Sequence, residues 1–344
     1  MKICIFGAGA IGGYLAAGLA SVEGTEVSVI ARGKHLEAIR TSGLTLIKDG
    51  AETTVQVKAA LDPNEIGPVD VIFNALKAHQ SWESAEYLRP LMHDDTAVVC
   101  CQNGVPWWYF HGLGGAHEGR RLDAVDRGNR QWDIIGPHRA IGCSVYPAAE
   151  ISGPGVIRHV YGDKFALGEP DGSASPRIRM ISELLEKAGF RAPVLEDIRS
   201  ELWLKLWGNL CFNPISALTR GTLDVVASHP TSRATAKAMM LEAQTIAESL
   251  GASFRVDVER RINGAAKVGK HRTSMLQDLE AGKAMEIDAL VTAVQEMGRI
   301  TGHPTPTLDV VLGLVQQLGM SQGLYPTYPE ENDTDTAGTD AAAA

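Results

Sequence analysis

Residues 2–20, KICIFGAGAIGGYLAAGLA, decide the fold because they contain an apolar strand, a glycine-rich turn and a run of helix formers in immediate succession. In such a unit Gly7 allows the tight turn, Gly9 lets a pyrophosphate approach the backbone, and Gly12 lets the helix pack closely on the sheet. The amides at the helix start then bind the phosphates. The stretch therefore predicts a dinucleotide site, the alternative being an ordinary strand–helix turn. The residues expected to contact the cofactor there are Gly7, Ala8, Gly9, Ala10, Ile11 and Gly12.

The segment after the second predicted strand, residues 25–30, indicates which dinucleotide is bound. An NAD site usually carries Asp or Glu about 20 residues past the glycines, where it accepts from the ribose hydroxyls. This chain has Arg32 and Lys34 instead. A guanidinium binds a 2′-phosphate bidentately, whereas a carboxylate would repel it. We therefore expect NADP(H) rather than NAD, with Arg32 at the 2′-phosphate; the alternative is that both cations are solvated loop residues.

Two further apolar runs are each followed closely by polar side chains. Lys77 and Gln80 come just beyond a run that ends near Leu76, and Asn103 follows the run at residues 96–101. Ligands of doubly wound sheets bind outside the carboxyl ends of the strands. We therefore expect Lys77, Gln80 and Asn103 beside the nicotinamide and the substrate. Alternatively, Lys77 is a surface lysine and Asn103 belongs to an Asn-Gly turn.

The stretch ELWLKLWGNLCFNP at residues 201–214 places three polar side chains on one face of an apolar helix. Lys205, Asn209 and Asn213 are four residues apart, so each is rotated only about 40° from the last and together they form one stripe. The opposite stripe is apolar and consists of Trp203, Leu206, Trp207 and Leu210. One amine and two amides in line can bind a polar small molecule, or they can be core polar groups satisfied by loop backbone.

A second polar cluster interrupts the apolar spacing of residues 272–290 and comprises Ser274, Asp278, Lys283, Glu286 and Asp288. If Glu286 faces the same cleft as Lys205, its carboxylate could orient the ammonium while Ser274 donates a hydrogen bond to a substrate carboxylate. A helix with this many charges can equally be solvated along one face.

The composition argues against several other classes of protein. The chain has 344 residues, 44% of them hydrophobic, which is enough for two cores. A net charge of −9 without a basic stripe argues against a nucleic-acid partner. The five cysteines lie in apolar contexts without CxxC spacing, so we expect reduced core residues and no metal site. We recognise no signal peptide or membrane-length apolar run, and we expect no membrane partner and a cytoplasmic location.

The chain is predicted to divide into three parts. Residues 1–172 form a Rossmann-like NADP-binding domain, in which the short β-rich runs of residues 139–169 are an antiparallel extension. Residues 173–327 are helical in period and form a substrate and catalytic domain. Residues 328–344, rich in Asp, Glu, Thr, Gly and Ala, are expected to be a disordered acidic tail. The expected fold class is therefore α/β followed by an all-helical domain.

Over most of its length the chain resembles the ketopantoate reductases (2-dehydropantoate 2-reductases). The segments that carry the resemblance are GAGAIGG, LKAHQ, QNG, GPGVIRH with LGEP, IRSELWLKLWGNLCFNPISAL and TSMLQDLEAGKAMEID. The lysine–asparagine helix and the last segment are the specific ones, since many dinucleotide enzymes share the glycine motif. The resemblance implies a Rossmann domain and a helical domain with NADPH in the cleft between them. It also implies the reduction of ketopantoate to (R)-pantoate in pantothenate and coenzyme A biosynthesis.

Matched residue by residue, the resemblance implies roles for the polar side chains. Lys205 matches the lysine that protonates the developing alkoxide, and Glu286 matches the acid that pairs with it. Because a lysine ordinarily titrates at about 10.4, we expect Lys205 to be charged at neutral pH without a large depression of its pKa. The residues implied to bind the substrate are Asn103, Asn209, Asn213 and Ser274. The residues implied to line the cofactor site are Arg32, Lys77 and Asn103.

The chain departs from the family after Asn103-Gly104. It continues VPWWYF at residues 105–110, and a long Gly/Arg/Asp-rich segment then runs to about Pro137, where many members have a shorter turn and helix. These aromatic residues either pack the insertion against the sheet or reshape the site for a bulkier oxo acid.

Three functions therefore stay open. They are a ketopantoate reductase, a related dehydrogenase of another hydroxy or oxo acid, and a non-catalytic dinucleotide-binding regulator. The intact set of Lys205, the asparagines and Glu286 favours an enzyme with a small 2-oxo acid as its partner. The apolar content of the helical domain is compatible with a homodimer.

Overall fold

The computed structural model describes residues 1–326, and within them an α/β part is followed by a helical part, which confirms the predicted fold class. The strands, in chain order, are β1 (Lys2–Phe6), β2 (Glu26–Ile30), β3 (Leu44–Lys48), β4 (Ala51–Val55), β5 (Lys58–Ala60), β6 (Val71–Asn74), β7 (Ala97–Cys100), β8 (Ala140–Val145), β9 (Ala148–Gly153), β10 (Val156–Tyr161) and β11 (Phe165–Gly168). The α-helices are α1 (Ala10–Leu19), α2 (Gly33–Ser42), α3 (Ala78–Glu83), α4 (Arg130–Ile134), α5 (Pro176–Lys187), α6 (Ile198–Thr219), α7 (Leu223–Ser228), α8 (Pro230–Ser249), α9 (Val258–Ala266), α10 (Ser274–Glu280), α11 (Ala293–Thr301) and α12 (Pro306–Ser321).

The main sheet has seven strands in the order β11-β8-β7-β6-β1-β2-β5. All neighbours pair in parallel except β11, which lies antiparallel to β8 at one edge. The chain winds outward from β1 to β2 and β5, and then returns to the other side of β1 with β6. The strand order therefore reverses between β1 and β6, and at such a reversal the ligand crevice opens outside the carboxyl ends of the strands.

The segment at residues 139–169 differs in part from the expected antiparallel extension. β8 continues the main sheet and pairs in parallel with β7, while β9 and β10 form an antiparallel pair in a second, four-stranded sheet with the order β4-β3-β10-β9. All six residues of β8 are buried. A strand covered on both faces reads as a continuous apolar run, which is why its sequence does not reveal its direction.

The helical unit begins later in the chain than expected. α5 buries Ile178, Ile181 and Leu185 in the same hydrophobic core as α1 and β1. This helix therefore covers the main sheet and belongs to the α/β part. We propose that the boundary between the two domains lies between α5 and α6, at about residue 197, rather than at residue 172.

α6 is the central helix of the helical part and packs against α8, α10 and α12. Its apolar stripe is buried as expected, with Trp203 1% and Trp207 0% exposed. The indole Nε1 of Trp207 donates to the Met240 carbonyl at 2.7 Å, so the ring is both packed and hydrogen-bonded. The polar stripe of α6 lies on the other side, where Lys205 meets the end of β8.

The four aromatic residues at positions 107–110 are packed into the protein core. All four side chains are at most 3% exposed. The Tyr109 hydroxyl accepts a hydrogen bond from Trp203 Nε1 at 2.7 Å, and the Arg199 guanidinium donates to the carbonyls of Tyr109 (2.9 Å) and His111 (2.6 Å). These contacts attach the insertion to α6, so the packing alternative holds and the aromatic residues give no reason to expect a bulkier substrate.

The remaining expectations concern cysteines, metals and membranes. All five cysteines are free and buried, as expected. In residues 1–326, no group of three or more His, Cys, Asp or Glu side chains could hold a metal ion. No helix in the same range is both long and apolar enough to cross a bilayer. The predicted acidic tail at residues 328–344 lies outside the described part of the chain.

Candidate active site

The glycine turn after β1 has the geometry that the motif requires. Gly7 has a φ of +102°, a backbone conformation that residues other than glycine rarely adopt. At Gly12 only glycine fits, because a Cβ there would lie 2.0 Å from the Gly7 carbonyl oxygen. Apart from Gly9 itself and its neighbours along the chain, no atom lies within 4 Å of the position that a Cβ on Gly9 would occupy. The backbone at the start of α1 is therefore open on the side where a pyrophosphate would approach, and the turn fits a dinucleotide.

Hydrogen bonds join this turn to β2 and α2. The Ala8 amide donates to the Ile30 carbonyl at 3.0 Å, and His35 Nε2 lies 2.8 Å from the Ala8 carbonyl oxygen. His35 Nδ1 accepts from the Gly155 amide at 2.9 Å, so the proton of a neutral ring is on Nε2 and is donated to Ala8. Burial lowers the pKa of His35, which favours this neutral form. Sequence reasoning missed His35, because no local pattern marks it.

Arg32 lies where the second strand passes into α2, on the same side of the sheet as the glycine turn. It is the residue that precedes the first turn of α2, its backbone is extended and its side chain is exposed. The side chain makes no hydrogen bond or ion pair with any residue in the range 1–326. Its guanidinium is therefore free to bind an anion.

Lys77 connects the two parts of the molecule. Its Nζ lies 2.5 Å from Asp278 Oδ1 on α10, and the Asp278 side chain is largely buried. Lys77 immediately precedes α3, and Gln80, on the first turn of that helix, is partly buried. The structure thus places both residues beyond the carboxyl end of β6 as expected, and it adds Asp278, whose pairing with Lys77 the sequence did not reveal.

The central feature of the site is a chain of three polar side chains from three separate segments. Lys205 Nζ donates to Asn103 Oδ1 at 2.7 Å, and Asn103 Nδ2 donates to Glu286 Oε2 at 3.3 Å. Glu286 is 8% exposed, and its other oxygen lies 3.4 Å from the Ala78 amide. Within residues 1–326, Lys205 and Glu286 form no direct ion pair. The structure therefore brings the expected residues together, with Asn103 between the lysine and the acid.

The Lys205 ammonium is held at two points. Besides Asn103, it donates to the carbonyl oxygen of Val145 at the end of β8. A lysine ammonium has three donors, so the described residues leave one N–H for a ligand. Burial lowers the pKa of Lys205 to about 8, while interactions with Cys143 and Glu286 act in the opposite direction. At neutral pH Lys205 is therefore still mainly charged, as expected, but its pKa is lowered more than expected because the ammonium is deeply buried.

The two asparagines of the stripe have different surroundings. Asn213 is 4% exposed, and its Nδ2 donates to Ser274 Oγ at 3.3 Å, at the start of α10. Asn209 is partly buried, and its side chain has no hydrogen-bond partner in the part of the chain that the structure describes. Ser274 and Asn213 thus lie together as expected, and the Asn209 amide is free for a ligand.

Two further neighbours of the site, Glu201 and Tyr146, were missed by sequence reasoning. Glu201 is 4% exposed and receives hydrogen bonds from Tyr146 and Lys164, both at 2.7 Å, and an ion pair from Arg255 at 2.9 Å. It lies four residues before Lys205, so the spacing of the stripe could have revealed it. Tyr146 follows the carbonyl that binds Lys205, and it carries no sequence signal of its own.

Comparisons with known proteins agree with this geometry. Residues 3–172 match the family model described as ketopantoate reductase PanE/ApbA, and residues 197–319 match that of its C-terminal part. The chain is 58% identical over 325 residues to the 2-dehydropantoate 2-reductase of Mesorhizobium japonicum. The alignment covers 94% of this chain and 100% of that protein. The structure is similar to that of a PanE/ApbA family ketopantoate reductase from Ralstonia eutropha, with 26% identity, a TM-score of 0.80 and coverage of 94% of this chain and 100% of that one.

A more distant structure shares the fold. D-mandelate dehydrogenase, solved with NADH and anilino(oxo)acetate, superimposes with a TM-score of 0.80 at 21% identity and covers 94% of this chain and 100% of its own. The family models span both the α/β part and the helical part, and the alignment with the Mesorhizobium protein is complete over that protein. The chain therefore belongs to the ketopantoate reductase PanE/ApbA family.

Proposed function

We propose that this protein is an NADPH-dependent 2-dehydropantoate 2-reductase that forms (R)-pantoate, an intermediate of pantothenate biosynthesis. The observation that carries the proposal is the Lys205 ammonium, which is held by Asn103 and Val145 where the helical part meets the α/β part and which has one donor left free. A non-catalytic dinucleotide-binding regulator would not need a proton donor at this position. The 58% identity to a 2-dehydropantoate 2-reductase supports the choice of substrate.

The glycine turn and Arg32 support NADPH as the cofactor. The open backbone at Gly9 accommodates the pyrophosphate, and the free, exposed Arg32 guanidinium matches a 2′-phosphate in charge and shape. Lys77, Gln80 and Asn103 lie beyond the carboxyl ends of β6 and β7, on the side where the nicotinamide half would extend. The bound cofactor supplies the hydride.

Lys205 supplies the proton. Hydride addition to a ketone builds negative charge on its oxygen, and an ammonium held at that oxygen both stabilises the charge and donates the proton. Asn103 and the Val145 carbonyl hold the ammonium in place, and Asn103 is itself oriented by Glu286. Asn209 and Asn213 follow Lys205 along the same face of α6, Ser274 is hydrogen-bonded to Asn213, and these three side chains bind the rest of the substrate.

The proposal is tested by following NADPH oxidation with purified protein and a panel of 2-oxo acids that includes ketopantoate and a bulkier aromatic oxo acid, with NADH in parallel. We expect fast turnover of ketopantoate with NADPH and slow turnover of every other combination of oxo acid and cofactor. Faster turnover of the aromatic acid would show a related dehydrogenase, and no turnover of any acid would contradict the proposal.

The pKa of Lys205 makes the rate depend on pH in opposite senses for the two directions. Ketone reduction needs the ammonium as proton donor, so kcat/KM is expected to fall as the pH rises through about 8. Alcohol oxidation needs the neutral amine as base, so its kcat/KM should rise over the same range. The Glu286 carboxylate raises the pKa of Lys205, and Glu286→Gln should therefore move both midpoints to lower pH. Flat profiles between pH 7 and 9.5 would exclude Lys205 as the proton donor.

A further inference from the structure

The residue that follows Val145 is tied to the helix that carries Lys205. Val145 ends β8, and its carbonyl accepts a hydrogen bond from the Lys205 ammonium. The hydroxyl of the next residue, Tyr146, donates to Glu201 Oε1 at 2.7 Å. Glu201 lies one helical turn before Lys205, on the same face of α6. Two consecutive residues at the strand end thus bind two residues four apart on the helix, and these contacts form a closed ring around the ammonium's acceptor.

Tyr146 is held at both its amide and its hydroxyl. The amide donates to the Lys164 carbonyl at 3.0 Å, and the hydroxyl binds Glu201. The Glu201 carboxylate is itself fixed, because it is buried and also binds Lys164 Nζ at 2.7 Å and the Arg255 guanidinium at 2.9 Å. Tyr146 and Lys164 belong to the α/β part, and Glu201 and Arg255 belong to the helical part. The cluster therefore joins the two parts beside Lys205.

Tyr146 is a neighbour of the ammonium without being a rival proton donor. The centroid of its ring lies 6.0 Å from Lys205 Nζ, at the limit of a cation–π contact. Burial raises the pKa of Tyr146 to about 12, and its hydroxyl proton is used in the bond to Glu201. The phenol therefore acts on the reaction only through the position of the groups that it holds.

Building on the proposed function, we propose that Tyr146 and Glu201 are positioning residues for Lys205. Their hydrogen bond holds the end of β8 against α6, so that the Val145 carbonyl takes one N–H of the ammonium, Asn103 takes a second and the third is left for the ketone oxygen. Proton transfer requires the donor within hydrogen-bond reach of the acceptor, so a small displacement of the ammonium slows the reaction.

The first test removes the Tyr146 hydroxyl alone. Tyr146→Phe keeps the ring and loses the bond to Glu201, and we expect kcat for ketopantoate reduction to fall about 10-fold. The Kd of NADPH, measured by fluorescence titration, should stay unchanged. Combining Tyr146→Phe with Glu201→Leu should give a variant no slower than the slower single variant, because both changes break the same contact. Additive losses would contradict the proposal.

Glu201→Gln separates the hydrogen bond from the charge. The glutamine oxygen can still accept from Tyr146 and Lys164, and only the ion pairs with Lys164 and the largely exposed Arg255 are weakened. We expect kcat within about 3-fold of wild type for Glu201→Gln, and a loss as large as that of Tyr146→Phe for Glu201→Leu. Equal losses in the two Glu201 variants would overturn the proposal.

The pH profile reports on the ammonium itself. The Val145 carbonyl accepts from the charged form of Lys205 and so favours it. When the strand end is released in Tyr146→Phe, the midpoint of kcat/KM for ketone reduction should move to lower pH. The groups that raise the pKa of Lys205, Cys143, Glu286 and Cys101, are unchanged in this variant. A slower variant with the wild-type midpoint would contradict the proposal.

Tyr109→Phe is the matched control for a structural effect. It also removes a buried hydroxyl bound to α6, because the Tyr109 oxygen accepts from Trp203 Nε1. We expect this variant to lower the Tm, since it leaves the indole N–H unpaired, but to keep the wild-type kcat and pH midpoint. If Tyr146→Phe behaves in the same way, Tyr146 is structural and this inference alone fails. If the wild-type protein turns over no oxo acid, the proposed function itself fails.

Discussion

Replacing Lys205 with alanine is expected to lower kcat for ketopantoate reduction by about 10²- to 10⁴-fold. The Lys205 ammonium keeps one N–H that no described residue binds, and without the ammonium the developing alkoxide has neither a proton nor a positive charge beside it. Steady-state kinetics at pH 7, followed by NADPH absorbance, measure the loss. The affinity for NADPH, measured by fluorescence titration, should stay nearly unchanged.

Lys205→Arg is the matched control for this prediction. It keeps the positive charge, but its guanidinium does not act as a proton donor because its pKa lies far above neutral pH, and its planar shape differs from that of the ammonium held by Asn103 and the Val145 carbonyl. We expect a loss nearly as large as that of the alanine variant. Wild-type turnover in Lys205→Ala would show that another group donates the proton.

Replacing Arg32 with aspartate is expected to lower the preference for NADPH over NADH by about 10²- to 10³-fold. The change removes charged hydrogen bonds to the 2′-phosphate and puts a repelling carboxylate in their place, while the same carboxylate can accept from the ribose hydroxyls of NADH. Arg32 has no partner in the described part of the chain, so its loss breaks no internal contact. The measurement is kcat/KM for each cofactor at saturating ketopantoate.

Lys34→Asp provides the control. It changes the net charge by the same amount two residues further along, at the second residue of α2. A general electrostatic effect would weaken NADPH binding equally in both variants. If Arg32 contacts the 2′-phosphate specifically, Lys34→Asp should weaken NADPH binding much less than Arg32→Asp does. Equal effects of the two variants would show that Arg32 is a solvated loop cation.

The parts of the site that depend on local spacing could be predicted from the sequence. The turn at Gly7 and Gly12 follows from the contacts of a strand with the helix that directly follows it. The stripe of Lys205, Asn209 and Asn213 follows from the helical period alone. These features involve residues at most a dozen positions apart, where backbone geometry fixes the arrangement.

Features that join distant segments were decided by the tertiary structure. The resemblance implied that Glu286 acts with Lys205, but only the fold shows that Asn103 connects them across 102 and 183 positions of sequence. The same holds for the pairing of Lys77 with Asp278.

The pKa of Lys205 was also decided by the tertiary structure. Its pKa of about 8 reflects how deeply the folded chain buries the ammonium between β8 and α6, a property that no short stretch contains. The sequence by itself determined the fold class, the dinucleotide turn and the polar stripe, since each follows from a local period. The folded chain decided which polar groups meet, which stay unpaired and how readily they ionise, because these depend on packing between segments far apart in sequence.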